Sequence, residues 1–267
     1  MKRTEKERLY HNIWAQKHIH DISNDFEHFS ALEKHWIIKK LPPLKGLKVL
    51  DIGCGFGEAS IYFAKKGALV TSLDISEGMV EHCLSVLRKG GFEAEGVVSS
   101  IEDFEFKEKS YDVVYAANVL HHVENRSEVI GKISKALKRE GIAFFIDPLR
   151  YNPVINIYRR MATNVRTTDE CPVGFEILNQ MRECFKDVQY ECTWLLSLGI
   201  FLKYYLIDGI HPNTDRYWKR VLGEPEKTRR WLGPLMKIDK YLCSAFSPLK
   251  YLCWNIVIAA KNPQPGR

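Results

Sequence analysis

Two aspartates bracket a run of glycines in the first third of this chain. In "VLDIGCGFG", Val49 to Gly57, an aliphatic segment ends in Asp51, and Gly53, Gly55 and Gly57 follow at alternate positions. Alternate glycines leave a backbone that a ligand can approach closely. A dinucleotide site wants G-x-G-x-x-G with its helix N-terminus aimed at a pyrophosphate. Here the acid stands in front of the glycines, where a diphosphate would be repelled. A carboxylate there suits a cationic group such as an amino-acid ammonium, met directly or through water. Asp74 lies 23 residues after Asp51, at the spacing of an acid that accepts hydrogen bonds from ribose hydroxyls. A ribose, a cationic amino acid and no phosphate together describe S-adenosyl-L-methionine.

Further candidates lie downstream. His121 and His122 are adjacent, and an imidazole titrating near neutral pH can take a proton from an acceptor hydroxyl or ammonium. The same pair could instead cap or support the next helix. Asp147, Arg150 and Tyr151 come after another apolar run; the aspartate could simply end a strand, while Arg150 and Tyr151 are candidate substrate contacts, with Tyr151 also a candidate catalytic group. Arg159, Arg160 and Arg166 could meet an anionic substrate or form a solvated helix face.

These residues need elements to hold them. "LKVLDIG", "ALVTSLDIS", "AEGVVSS", "YDVVYAANVL" and "IAFFIDP" read as strands, and amphipathic segments alternate with them. The segment "NRSEVIGKISKALKREG" reads as a helix capped by Asn125 or Ser127, with Gly141 just past its end. This β-α-β-α rhythm predicts an α/β fold, a doubly wound, Rossmann-like, mostly parallel sheet with helices on both faces. Ligands on such sheets bind beyond the carboxyl ends of the strands, where Gly53, Gly55, Asp74, Ser100 and Asn118 fall. After Pro148 the rhythm changes to helices at "NPVINIYRRMA" and "FEILNQMRECF" and strands at "VQYECTWLL" and "WNIVIAA". About 55 residues separate those two strands, far beyond a hairpin loop, and predict a helical insertion packed over one sheet edge. The expected divisions are 1–40 (helical lid), 41–150 (ligand-binding core), 151–196 (core with substrate-side helices), 197–253 (helical cap) and 254–267 (last strand and tail).

"VLDIGCGFGEASIYFAKKGALVTSLDIS" resembles the first two motifs of class I S-adenosylmethionine-dependent methyltransferases. "VVSSIEDFEFKEKSYDVVYAANVLHHV" is similar to the third and fourth motifs of the subgroup containing the ubiquinone and menaquinone methyltransferases. The resemblance covers about residues 45–147 and implies seven strands, one of them antiparallel. It also implies that Asp51, Gly53, Cys54 and Gly55 contact the methionine part, and that Asp74 and Ile75 hold the ribose and an adenine edge. Ser100 and Ile101 stand where relatives carry an acid and a small residue against the adenine, with Glu102 or Asp103 as substitutes. Asn118 would line the floor under the sulfonium. "YHNIWAQKH" resembles a segment that folds over the cofactor, making Tyr10, Trp14 and His18 lid candidates; a plain amphipathic helix is the alternative.

Composition narrows the partners. A net charge of +6, spread along the chain, lacks the basic patch typical of nucleic-acid proteins, so a small-molecule substrate is expected and nucleic acid is not. Seven cysteines without a C-x-x-C pair suggest reduced thiols in the cytoplasm, and no dedicated metal cluster is legible. The N-terminus lacks the apolar core of a signal peptide. "WLLSLGIFLKYYLIDGI", residues 194–210, could be core, line a greasy pocket or rest on a membrane surface. The expected function is methyl transfer to a lipid-like, quinone-like or secondary-metabolite acceptor. A ligand-binding cyclase, isomerase or partner subunit is the alternative, and an RNA methyltransferase a weaker one.

Overall fold

The computed structural model describes residues 3–17, 25–163, 170–214, 216–223 and 225–264. Seven strands form one sheet: β1 (Lys48–Ile52), β2 (Leu69–Asp74), β3 (Ala94–Val98), β4 (Tyr111–Ala117), β5 (Leu137–Pro148), β6 (Phe185–Thr193) and β7 (Asn255–Pro263), in the order β3-β2-β1-β4-β5-β7-β6. β1 to β5 pair in parallel, and β7 runs antiparallel between β5 and β6. The order reverses between β1 and β4, so the glycine turn after β1 opens at the switch point where such sheets bind ligands.

Both faces of the sheet are covered, which is why β1 and β4 read as continuous apolar runs and not as alternating ones. Successive side chains point to opposite faces. Leu50, Val114, Phe145 and Ile258 pack on one side with Ile130 and Ile133 of α5 (Arg126–Ala136) and Met181 of α7 (Ile177–Cys184). Val49, Val113, Phe144 and Val257 pack on the other with Ile37 of α2 (Leu32–Ile38), Phe63 of α3 (Glu58–Lys65) and Val80 and Leu87 of α4 (Glu77–Lys89). Asn125 caps α5 by accepting the Glu128 N–H at 3.2 Å.

The end of α5 differs from the sequence expectation. α5 stops at Ala136 and does not run on to Gly141; residues 137–140 belong to β5. Leu137 is buried and pairs with Tyr111, and Lys138 Nζ lies 2.8 Å from both Asp112 carboxylate oxygens. Anchoring to β4 outweighs the helix propensity of the Lys-Arg-Glu segment, since propensity is worth only tenths of a kcal/mol per residue.

The chain between β6 and β7 forms α8 (Gly199–Leu206), α9 (Tyr217–Gly223) and α10 (Pro225–Ala245). Because β7 is antiparallel, this connection leaves and rejoins the sheet at the carboxyl ends of the parallel strands. The helices therefore stand over the ligand side of the sheet. They share a third apolar cluster, including Phe201, Tyr217, Leu232 and Met236, with Ile155 of α6 (Pro153–Met161). Asp239, buried on α10, accepts the backbone N–H groups of Leu195, Leu196 and Ser197 and the Ser197 hydroxyl, which fixes α10 to the chain entering α8. Among the described residues no helix is long and apolar enough to cross a membrane, and all seven cysteines are free thiols.

Candidate active site

The turn after β1 is built on left-handed backbone. Gly53, Gly55 and Gly57 have φ of +70°, +51° and +92°, a region that L side chains avoid. Space adds a second constraint at Gly53, where a Cβ would lie 2.5 Å from Val119 Cγ2. The N–H groups of Gly53 and Cys54 both donate to Leu73 O, at 2.7 and 3.0 Å, tying the turn to the end of β2. Asn118, at the end of β4, is also left-handed with φ of +58° and donates its N–H to Ile146 O at 2.7 Å.

Asp74 ends β2. Its Oδ2 accepts the Gly55 N–H at 3.0 Å and its Oδ1 the Ser76 N–H at 2.9 Å. Burial raises its carboxyl above the usual range, opposed by the nearby His11 charge and by these backbone donors. Asp51 is more deeply buried, and its Oδ2 accepts the Ser60 hydroxyl at 2.6 Å. Burial drives its carboxyl up to about 7, against the Ser60 bond and with help from the charge of Asp74. Two acids whose ionised forms are costly when no cation is nearby gain most from a cationic ligand.

Both carboxylates open onto a cavity of about 500 Å³. Gly53, Cys54, Gly55, Ile75, Ser100, Ile101 and Asn118 line it as well, so the expected cofactor-side residues come together. The Ser100 hydroxyl donates to Asp103 Oδ2 at 2.7 Å. Its oxygen also takes the Asp103 N–H at 3.1 Å. Glu102 lines the cavity on the same side.

α1 (Arg3–Lys17) lies along this opening. The Ser76 hydroxyl donates to Asn12 Oδ1 at 2.6 Å and accepts the Met79 N–H, so the cap of α4 is also the dock for α1. Tyr10 and Trp14 stack at 6.1 Å and both line the cavity. His18 lies outside the described residues. Arg216, just before α9, sits 3.6 Å from the centre of the Trp14 ring and donates to the Tyr10 hydroxyl at 2.8 Å. α1 and the cap thus meet above the cavity.

At the other end His121 and His122 line the wall, each backed by an acid. His121 Nδ1 lies 2.8 Å from Asp147 Oδ1, which also takes the His121 N–H at 3.1 Å. Burial lifts Asp147 to about 8, opposed by backbone donors at His121 and Leu120 and by the Arg126 charge. His122 Nδ1 lies 3.1 Å from Glu7 Oε1, which is also 3.0 Å from His11 Nε2. Burial would raise Glu7, but the His11 and His122 bonds outweigh it and hold the carboxyl well below the usual range. Nδ1 of each imidazole thus lies against a carboxyl group. Glu170 comes close enough for one ligand atom from each of His121, His122 and Glu170 to lie within 4.8 Å of one another. Arg3 also donates to His121 O at 3.1 Å, and the Arg126 charge acts on Asp147.

Two expectations are corrected. Arg150 and Tyr151 do not line the cavity. Arg150 is paired with Glu176, and the Tyr151 hydroxyl accepts the Phe175 N–H at 3.0 Å while its ring stacks on Phe175. The bridge between Leu149 and Val173 draws the chain after β5 toward that segment, taking both side chains with it. Arg159 does line the cavity; Arg166 lies outside the described residues.

Residues 50–145 match the methyltransferase domain family. That match runs from β1 into β5. The chain is 33% identical over 129 residues to a ubiquinone biosynthesis O-methyltransferase of Vibrio atlanticus (strain LGP32), covering 47% of this chain and 54% of that protein. The chain thus spans about half the length of the curated relatives it matches. Its fold is that of a phosphoethanolamine N-methyltransferase of Haemonchus contortus solved with phosphomonomethylethanolamine and S-adenosylhomocysteine (TM-score 0.56, 17% identity, 87% of this chain and 52% of that one). It is equally that of the cyclase SpnF (TM-score 0.55, 17% identity, 88% and 80%). The match to the methyltransferase domain ends before the residues between β6 and β7.

Proposed function

We propose that this chain is an S-adenosyl-L-methionine-dependent methyltransferase acting on a small, partly apolar molecule of lipid-like, quinone-like or secondary-metabolite character. One observation carries the reading: two buried carboxylates, Asp51 and Asp74, flank a left-handed glycine turn at the switch point of the sheet and open onto one cavity. The charge of that cradle fits an amino-acid ammonium and a ribose. When bound, S-adenosylmethionine supplies an electrophilic methyl group on a sulfonium. The chain's own work is then to hold, align and deprotonate.

Asp51 would face the ammonium, and Asp74 the ribose hydroxyls, with Oδ2 and Oδ1 already ordered by Gly55 and Ser76. Ile75, Ser100 and Ile101 would border the adenine. Tyr10 and Trp14, joined to Arg216, would keep water from the reacting centre. Trp194, Trp218 and Trp254 line the far side and make a surface suited to a partly apolar acceptor. His121 would take the acceptor's proton, with Asp147 holding the ring by Nδ1; His122 with Glu7 forms a second such pair.

The same fold also hosts a cyclase, so binding and turnover need separate tests. Calorimetry with S-adenosylhomocysteine tests binding. Formation of S-adenosylhomocysteine from S-adenosylmethionine, dependent on an added phenol, quinol or lipid acceptor, tests turnover. His121→Ala and His122→Ala are expected to slow turnover more than they weaken ligand binding. Binding without acceptor-dependent turnover across such a panel would favour the cyclase or partner-subunit alternative; absence of binding would remove the proposal.

A further inference from the structure

The long helix of the cap has a face that nothing else among the described residues covers. α10 turns Leu232, Met236, Asp239 and Cys243 inward. At about 100° per residue, Trp231, Pro234, Ile238, Tyr241 and Ala245 fall together in the neighbouring sector. Trp231 is 64% exposed, Ile238 45% and Tyr241 70%. Next around the helix come Arg230 and Lys237, then Arg229 and Lys240, all exposed. The helix therefore carries three stripes: one buried, one apolar and open, one basic.

Beyond the helix end, Phe246, Tyr251 and Leu252 are also exposed, at 58%, 50% and 44%. Leu196, also exposed, is joined to the same helix by its N–H on Asp239 Oδ1 at 2.7 Å. Between residues 228 and 252 the chain has five basic side chains and one acid, Asp239, which is buried. Single exposed apolar residues are ordinary; a row of them bordered by like charge marks an interaction site.

Charge and residue type select the partner. Lysine is depleted from protein–protein interfaces. A tryptophan and tyrosines beside a row of lysines and arginines match the headgroup layer of a bilayer, where an aromatic ring buries its body and keeps its polar tip wet. Basic side chains are drawn to anionic lipid. We propose that this face of α10 docks on the surface of an anionic phospholipid bilayer, with Trp231, Ile238 and Tyr241 entering the headgroup layer and Arg230, Lys237 and Lys240 meeting lipid phosphates. It lies outside the methyltransferase motifs and does not depend on the catalytic reading.

Flotation with vesicles of phosphatidylcholine alone, and of phosphatidylcholine mixed with phosphatidylglycerol, tests this on the full chain. The native protein is expected to float with the anionic vesicles, less so with the neutral ones, and to be released by salt. Replacing Trp231, Ile238 and Tyr241 together by serine should reduce anionic-vesicle binding at least tenfold. Replacing Arg230, Lys237 and Lys240 by glutamate should abolish the anionic preference, at roughly fivefold per basic residue. Both variants should keep the native melting temperature and the thermal shift with S-adenosylhomocysteine, which separates a failed docking surface from a failed fold or ligand site. Absence of native binding to anionic vesicles, or equal binding by the variants, would overturn the proposal. So would a dimer seen by light scattering that the serine variant splits, since the face would then join two copies of this chain.

Discussion

The state of Asp51 gives the sharpest test of how the ligand is held. In the ligand-free protein its carboxyl is raised to about 7, chiefly by burial. A bound ammonium favours the ionised form and returns the pKa toward the ordinary carboxylate range. Below pH 7 the free protein holds a proton at Asp51 that the complex must release, so binding strengthens as pH rises. Affinity for S-adenosylhomocysteine should climb about tenfold per pH unit below 7 and level off above it, a change of about a hundredfold between pH 5 and pH 8. Roughly nine-tenths of a proton should leave at pH 6. Calorimetry in buffers of different ionisation enthalpy counts that proton directly. Asp51→Asn cannot release it, and its affinity should follow a flatter profile, with Asp74 supplying what pH dependence remains. A native affinity constant from pH 5 to 8 would refute the contact between Asp51 and the ammonium. The sign for stability is the reverse: a raised folded pKa favours the folded form most below the unfolded value and loses that contribution as pH rises through about 7. The ligand-free protein should therefore melt lower at pH 8 than at pH 6, and the ligand should narrow the gap.

Asp74→Ala should weaken S-adenosylhomocysteine binding by about 1–3 kcal/mol, through loss of the charge-assisted bonds to ligand and of the order it imposes on Gly55; unchanged affinity by calorimetry would remove Asp74 from the site. Gly53→Ala combines positive φ with a 2.5 Å approach to Val119 and should cost more than the 1–2 kcal/mol or so of left-handed backbone alone. Gly91→Ala, with φ of +77° and nothing within 4 Å, should cost only that backbone term, so equal melting temperatures for the two variants would contradict the close approach. Cys171 is exposed and the other six thiols are buried; a chromogenic disulfide should modify one thiol quickly in the native protein and seven in denaturant.

What the sequence disclosed follows the range of the forces involved. The strand–glycine–helix unit is legible because its signals are local: a buried run followed at once by alternate glycines. Asp51 and Asp74 could be placed because two parallel strands in register put their tips side by side. Arg150 and Tyr151 misled because their sequence position after β5 was right, while a distant pairing of Leu149 with Val173 drew them aside. Glu7 and His11 were missed although they stand four apart on one helix. That spacing shows they share a face, but not that His122 would arrive opposite them. Arg216 left no signal at all, since its partners Tyr10 and Trp14 are some two hundred residues away. The end of α5 was misjudged because helix propensity is a weak prior, and the Lys138–Asp112 contact that overrides it is tertiary.

The contact of Arg216 with Tyr10 and Trp14 bears on time more than on strength. It joins the first helix to the cap above the cavity, so a molecule beneath it should leave more slowly while the guanidinium stays on the indole. Dwell time should therefore track this one stacked pair. In stopped flow, Arg216→Ala should hasten the escape of S-adenosylhomocysteine while its grip by the strand tips stays intact, and an unchanged escape rate would mean that the exit lies elsewhere.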